Sequence, residues 1–402
     1  MDALPATNLD VERWREDTPG CAHRIHLNNA GAALVPASVH DAMLDHLRLE
    51  SEIGGYEAAR ARREAVAQVY DDVAALVGAE ARNVAVAASA TAAFVQALGA
   101  FAFEAGDVII TSRCDYISNQ IQYLTLARRA GVRVVRTPDL PEGGVDPDAV
   151  RRLVEAHRPA LVALSWIPTG SGLVQDAEAV GEVCGAYEVP YLVDACQAVG
   201  QMPIDVARLR CDYLSATARK FLRGPRGMGF LYASDRALAR GDHPLSVDMQ
   251  GARWAAEDRY ELVPTAARFE EWEKPYALVL GMGAAARYAR EVGLDTAQAR
   301  AWGLAAYARE RLAGLPGVRL HDQGRVRCAI VTATVEGYEA ADVAARLADE
   351  GINTSVSTRE DSVIDFGAKG IAAAVRISPH YYNTTDDVGH LVDVLAALPS
   401  RA

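Results

Sequence analysis

The chain has 402 residues, 50% of them hydrophobic and 23% charged, the make-up of a globular protein with one large or two to three ordinary domains. Its formal net charge is −12, from 53 acidic residues against 41 Lys and Arg, which argues against a nucleic-acid binder. The six cysteines (Cys21, Cys114, Cys184, Cys196, Cys211, Cys328) show no CxxC and no metal-ligand spacing and read as reduced thiols of a cytoplasmic protein, while an acidic first segment excludes a signal peptide and no uncharged run is long enough to span a membrane.

Short apolar, β-branched runs predict strands at "VAVAA" 84–88, "DVIITS" 107–112, "VRVVRT" 132–137, "ALVALSW" 160–166, "PYLVDA" 190–195, "DYLSAT" 212–217 and "GFLYAS" 229–234. Helix-like segments such as 146–158 and 176–188 lie between several of them, so the expected fold is α/β with a mostly parallel sheet covered on both faces. Within "AASATAAF", 87–94, a small-residue turn leads into a helix near Thr91, and free backbone N–H groups at such a turn suit a phosphate. Neither GxGxxG nor GxxxxGK[ST] is present, so dinucleotide and P-loop binding are not indicated.

"YLVDACQAVG" closes a strand on Asp194, with Gln197 three residues later. An unpaired buried Asp would be costly there; the bland reading is a cap for the segment that follows. "ATARKFLRGPRGMGF", 216–230, closes the next strand on Arg219 and Lys220 before a glycine turn. Nearby positive charge and burial both lower an amine's pKa, and a neutral amine can form a Schiff base. Arg226 is placed in that turn, where it either pins the turn or reaches the site, and Arg223 is expected to be a solvated surface charge. Residues 268–313 look helical with a break near Gly293. After Pro316 come a strand at 328–335, a helix at 340–351, a strand at 374–380 and a closing helix at 384–398, with Thr384 and Asp387 as a capping box. These form a smaller α+β unit. The expected division is an N-terminal segment 1–25, a large domain 26–265 and a C-terminal portion 266–402.

A phosphate-type turn, a strand-end Asp and a strand-end Lys, in that order, are the parts that pyridoxal phosphate (PLP) needs. With "IHLNNAGAALVP", "VDACQAVG", "SATARKFLRGPRGMGFLY" and "VRISPHYYNTTDDV", the sequence resembles the class V aminotransferase family of fold-type I PLP enzymes over nearly its whole length. It looks most like the branch of ergothioneine-type C–S lyases and isopenicillin-N-epimerase-like proteins. The resemblance implies a seven-stranded, mostly parallel sheet domain with a small α+β domain, PLP as cofactor, and a homodimer.

The same resemblance implies that Lys220 is the covalent anchor, Asp194 the partner of the ring nitrogen, and Gln197 the contact to the phenolic oxygen, with Thr169 as a possible substitute there. It assigns Ala90, Thr91, Thr217 and Arg219 to the phosphate, Tyr116 to stacking on the ring, and Arg376 and Asn29 to the substrate, Arg376 holding its carboxylate. For Tyr116, Thr217 and Arg376 the rival reading is plain packing or a surface position. Desulfurases of the family need a cysteine before the carboxylate arginine, and residues 329–402 contain none. That excludes persulfide-forming desulfuration, and the likeness of "ESEIGGYEAA" 50–59 and "RKFLRGPRG" to C–S lyases implies β- or γ-elimination or replacement on a sulfur-bearing amino acid, bound as an external aldimine. Transamination and epimerisation remain the enzymatic alternatives, and an inactive PLP-fold binding protein the non-enzymatic one.

Overall fold

The computed structural model describes residues 8–399. Seven strands form the large sheet, in the spatial order Val84–Ala87, Gly229–Ala233, Tyr213–Thr217, Tyr191–Asp194, Leu161–Ser165, Val108–Thr111 and Arg133–Arg136. Gly229–Ala233 runs antiparallel to both neighbours; the other neighbouring pairs are parallel. The central strands from Val108 to Ala233 are buried at every position, apart from the half-buried edge strand Arg133–Arg136. Helices cover both faces, which is why these strands read as unbroken apolar runs.

The helices begin where their caps dictate. Ser89, Asp146 and Asp176 each accept a first-turn N–H, of Ala92, Asp148 and Ala179 respectively. The expected break at Gly293 separates helices Tyr276–Val292 and Leu294–Ala313. The smaller unit is a four-stranded antiparallel sheet in the order Val318–Leu320, Val331–Val335, Ala373–Ile377, Ser355–Thr358. Its last helix, Thr385–Ala396, carries the full capping box of Thr384 and Asp387.

The N-terminal segment clasps the two sheets together. Ile25–His26 pairs in parallel with Ile352–Asn353, and Ala33 N–H donates to the Arg219 carbonyl at 2.8 Å. Arg223 completes the clasp and corrects its expected surface position. Its side chain is among the largest fully buried ones. It donates to Leu34 O (2.9 Å), Tyr381 Oη (2.6 Å) and Thr18 Oγ1 (2.5 Å). Its guanidinium also lies 4.5 Å from the Tyr382 ring centroid and 5.3 Å from that of Tyr381. Hydrogen bonds and aromatic faces together replace the hydration that burial removes.

Candidate active site

The carboxyl ends of the parallel strands open on a cavity of about 230 Å³. This is where an open α/β sheet places its ligands, since helix N-termini and strand-end side chains converge there. Ala90, Thr91, Tyr116, Thr169, Asp194, Gln197, Thr217, Arg219 and Lys220 all border it. Nine residues spread over 131 positions of sequence are thus brought together by the strand order.

At one end stands the N-terminus of helix Ala90–Leu98. Ser89 Oγ takes the Ala92 N–H at 3.1 Å, while the first N–H groups of the helix, at Ala90 and Thr91, have no acceptor within it. The turn packs so tightly on strand Gly229–Ala233 that a Cβ at Gly229 would meet Ala90 N at 2.8 Å and Ala216 O at 2.5 Å. Arg219 Nη1 donates to Thr217 Oγ1 at 3.0 Å, setting both side chains at this end. Exposed Arg226 borders the same cavity.

Lys220 is 6% exposed. Burial pushes its ammonium below the ordinary lysine value; Arg219 and Arg376 push the same way, against Cys196 and Asp194. Its Nζ lies 5.8 Å from the centroid of the Tyr116 ring and has no hydrogen-bond partner among the described residues. Asp194 Oδ2 accepts from Asn119 Nδ2 at 2.9 Å, and Oδ1 accepts the Cys196 N–H at 2.9 Å. The bland reading was therefore half right: one oxygen of Asp194 does cap the following turn.

Gln197 Nε2 donates to Ala30 O (3.0 Å) and Thr169 Oγ1 (2.9 Å), leaving its Oε1 buried without a partner. Thr169 Oγ1 also accepts from Arg376 Nη1 at 2.9 Å, so its own proton is left to be given elsewhere. Arg376 is buried, which lowers its guanidinium to about 10. Its hydrogen-bond partners are neutral, Thr169 and Asn28 Oδ1, and its Nε has none.

Asn29 departs from the expectation. It is fully buried, its amide donating to His26 O (3.2 Å) and Ser378 O (2.7 Å) and accepting from Tyr382 Oη (2.5 Å). Every polar atom of the side chain is spent within the N-terminal segment and on Ser378 and Tyr382, which follow the small-sheet strand Ala373–Ile377. The neighbouring Asn28 is the one that reaches Arg376.

Asn119, Ser165 and Cys196 also border the cavity and were not singled out from sequence. Ser165 had the same signal as Asp194: a polar residue ending the apolar strand "LVALS". Asn119 lies on the first turn of helix Ile117–Ala130, three residues after Tyr116. Nothing local distinguishes it from a solvated helix residue.

The aminotransferase class-V profile matches residues 25–391. A protein of Methanothermobacter thermautotrophicus named "Probable cysteine desulfurase" is 26% identical, over 96% of this chain and 98% of its own. A protein of Mycobacterium tuberculosis named "Probable hercynylcysteine sulfoxide lyase" is 29% identical, over 98% of this chain and 94% of its own. In fold the chain is similar to the apo cysteine desulfurase of Thermococcus onnurineus (TM-score 0.88, 24% identity, 98% of each chain). It is also similar in fold to the cystine C–S lyase C-DES solved with cysteine persulfide (TM-score 0.84, 20% identity, 95% of this chain and 100% of that one). The chain therefore belongs to the class-V aminotransferase family, fold-type I enzymes that use pyridoxal phosphate.

Proposed function

We propose that the protein is a PLP-dependent carbon–sulfur lyase, acting on a sulfur-bearing amino acid by β- or γ-elimination or replacement. The observation that carries this reading is a buried lysine with a depressed ammonium, sharing one cavity with Asp194, while no reactive thiol stands ready beside them. The side chains fit the cofactor. The helix N-terminus, Thr217 and Arg219 suit a phosphate. Lys220 Nζ is unpaired, Tyr116 offers a ring face, and Arg376 Nε is a buried donor awaiting a partner. When bound there, PLP supplies an electron sink for negative charge developing at the substrate Cα.

The chain's own residues then have distinct tasks. Asp194 holds a proton at the ring nitrogen. Thr169, with both lone pairs engaged, directs its proton at the phenolic side beside Gln197. Arg376 orients the substrate by its carboxylate. Lys220, neutral at lower pH than an ordinary lysine because burial disfavours its charge, takes the Cα proton at Nζ. It then has that proton to give as the sulfur departs.

Desulfuration through a protein persulfide needs a reactive thiolate. Cys328 is fully buried and pushed up to about 12 by burial, and Cys196 and Cys114 are raised by burial as well. The relative named as a sulfoxide lyase supports the choice of elimination. Lys220→Ala tests the reading: wild type reconstituted with PLP shows the visible absorbance of a lysine-bound cofactor, and the variant lacks both that band and turnover. Wild-type absorbance in the variant would refute it.

A homodimer and a cytoplasmic location complete the proposal. Leu245, Met249, Trp254 and Tyr260 are exposed apolar side chains on the large domain, and Glu271 and Glu273 lie beside Ala88 at the phosphate end, where a second copy would approach. All six cysteines are free, as suits a reducing compartment, and among the described residues no helix is long and apolar enough to cross a membrane.

A further inference from the structure

Two buried carboxylates, not one, stand at the end of the sheet. Asp194 closes strand Tyr191–Asp194; Asp115 follows strand Val108–Thr111; strand Leu161–Ser165 lies between them and ends on Ser165. Ser165 Oγ donates to Asp115 Oδ1 at 2.5 Å and lies 3.4 Å from Asp194 Oδ2. Asn119 Nδ2 lies 3.2 Å from Asp115 Oδ1 and 2.9 Å from Asp194 Oδ2. A primary amide carries two N–H bonds, so Asn119 serves one carboxylate with each. The two carboxylates, with Ser165 Oγ 3.4 Å from the same nitrogen, set its orientation.

Asp115 is built to be such an acceptor. Besides Ser165 and Asn119 it takes the Tyr116 N–H (2.7 Å), Thr111 Oγ1 (2.9 Å) and Gln120 Nε2 (3.2 Å). Five donors and no acceptor suit the carboxylate form. Its pKa is nonetheless raised overall, by burial first and also by the Asp194 charge, with Ser165, Thr111 and Asn119 pulling it down. Tyr123, buried behind it, is kept neutral by burial, and Lys220 and Cys196 face Asp194 from the other side. None of this is required to hold the sheet together, since the strands pair through their backbones.

We propose that Asp115 is a positioning residue acting through Asn119 and Ser165: it holds Asn119 on Asp194 and aims the Asp194 carboxylate at the ring nitrogen of the bound cofactor. The proposal rests on the reading of Asp194 as the partner of that nitrogen. The physical basis is that an amide hydrogen-bonded to two carboxylates is oriented by both, so that losing one acceptor frees the donor that fixes the other.

The test uses the full chain reconstituted with PLP carrying ¹⁵N in the ring, and follows the ring nitrogen by NMR as pH is raised. In Asp115→Asn the pH at which the nitrogen loses its proton falls by about one unit, a tenfold weaker hold. Asp115→Glu restores most of the shift, and Ser165→Ala moves it in the same direction by less. Thermal melting shows which variants are folded. A folded Asp115→Asn protein with the wild-type titration overturns the proposal; if that variant does not fold, a wild-type titration in Ser165→Ala overturns it. Asp194→Asn separates the two levels of the claim. A nitrogen still protonated in that variant removes the reading of Asp194 and the proposal with it, whereas loss of its proton there but not in Asp115→Asn sinks the proposal alone.

Discussion

Arg376 shows how a single side chain states its task. A guanidinium taken out of water with only neutral partners, one donor left unpaired, is unfavourable unless a ligand completes it. In the proposed reading a carboxylate from the substrate would do so with two parallel hydrogen bonds. Lysine keeps the charge and loses the fork, so Arg376→Lys should lose about 1.5–3 kcal/mol of substrate binding, roughly 10- to 100-fold, mostly in KM. Steady-state kinetics on the accepted amino acid checks it. An unchanged KM would place the substrate carboxylate elsewhere. At this scale the sequence was readable where a polar residue interrupts an apolar strand, as at Asp194, Thr217 and Arg376. It was not readable at Asn119, whose role depends on a carboxylate 75 positions away.

Among the elements, the lysine-bearing turn is held by something no local pattern announces. "FLRGP" reads as a loop, and its arginine as a solvated charge. In the fold Arg223 has a φ of 63° and is packed between the N-terminal segment and Tyr381–Tyr382. Replacing it by Met leaves Leu34 O, Thr18 Oγ1 and Tyr381 Oη without their donor. Arg223→Met should therefore cost about 3 kcal/mol of stability, seen as a lower urea midpoint, and loosen cofactor binding through Lys220. An unchanged midpoint would contradict the clasp. Strands of the large sheet were legible because burial on both faces makes them continuous apolar runs. The short strands Ile25–His26 and Ser355–Thr358 were not, because their pairing is with distant segments and their own composition is mixed. The same distance between partners hid the role of Asn29, whose contacts lie about 350 residues along the chain.

For the molecule as a whole, the order turn, Asp, Lys gave away the cofactor, because the parallel sheet gathers strand ends in one place whatever lies between them. The proposed dimer rests on a different feature. Exposed Leu245, Met249 and Trp254 predict a dimer, so sedimentation should give twice the mass of the 402-residue chain; a monomer at micromolar concentration would contradict it. In the proposed reaction the outcome depends on the fate of the carbon–sulfur bond once Lys220, the proposed base, has taken the Cα proton, and the fold shared by the family does not choose it. The most direct measurement is product analysis of the PLP-loaded protein with S-substituted cysteine and homocysteine derivatives and their sulfoxides. The account predicts the sulfur fragment released in step with either a 2-oxo acid and ammonia, for elimination, or a newly substituted amino acid, for replacement, with the cofactor returned to its lysine-bound form. A 2-oxo acid that keeps its sulfur, formed together with pyridoxamine phosphate, would contradict it.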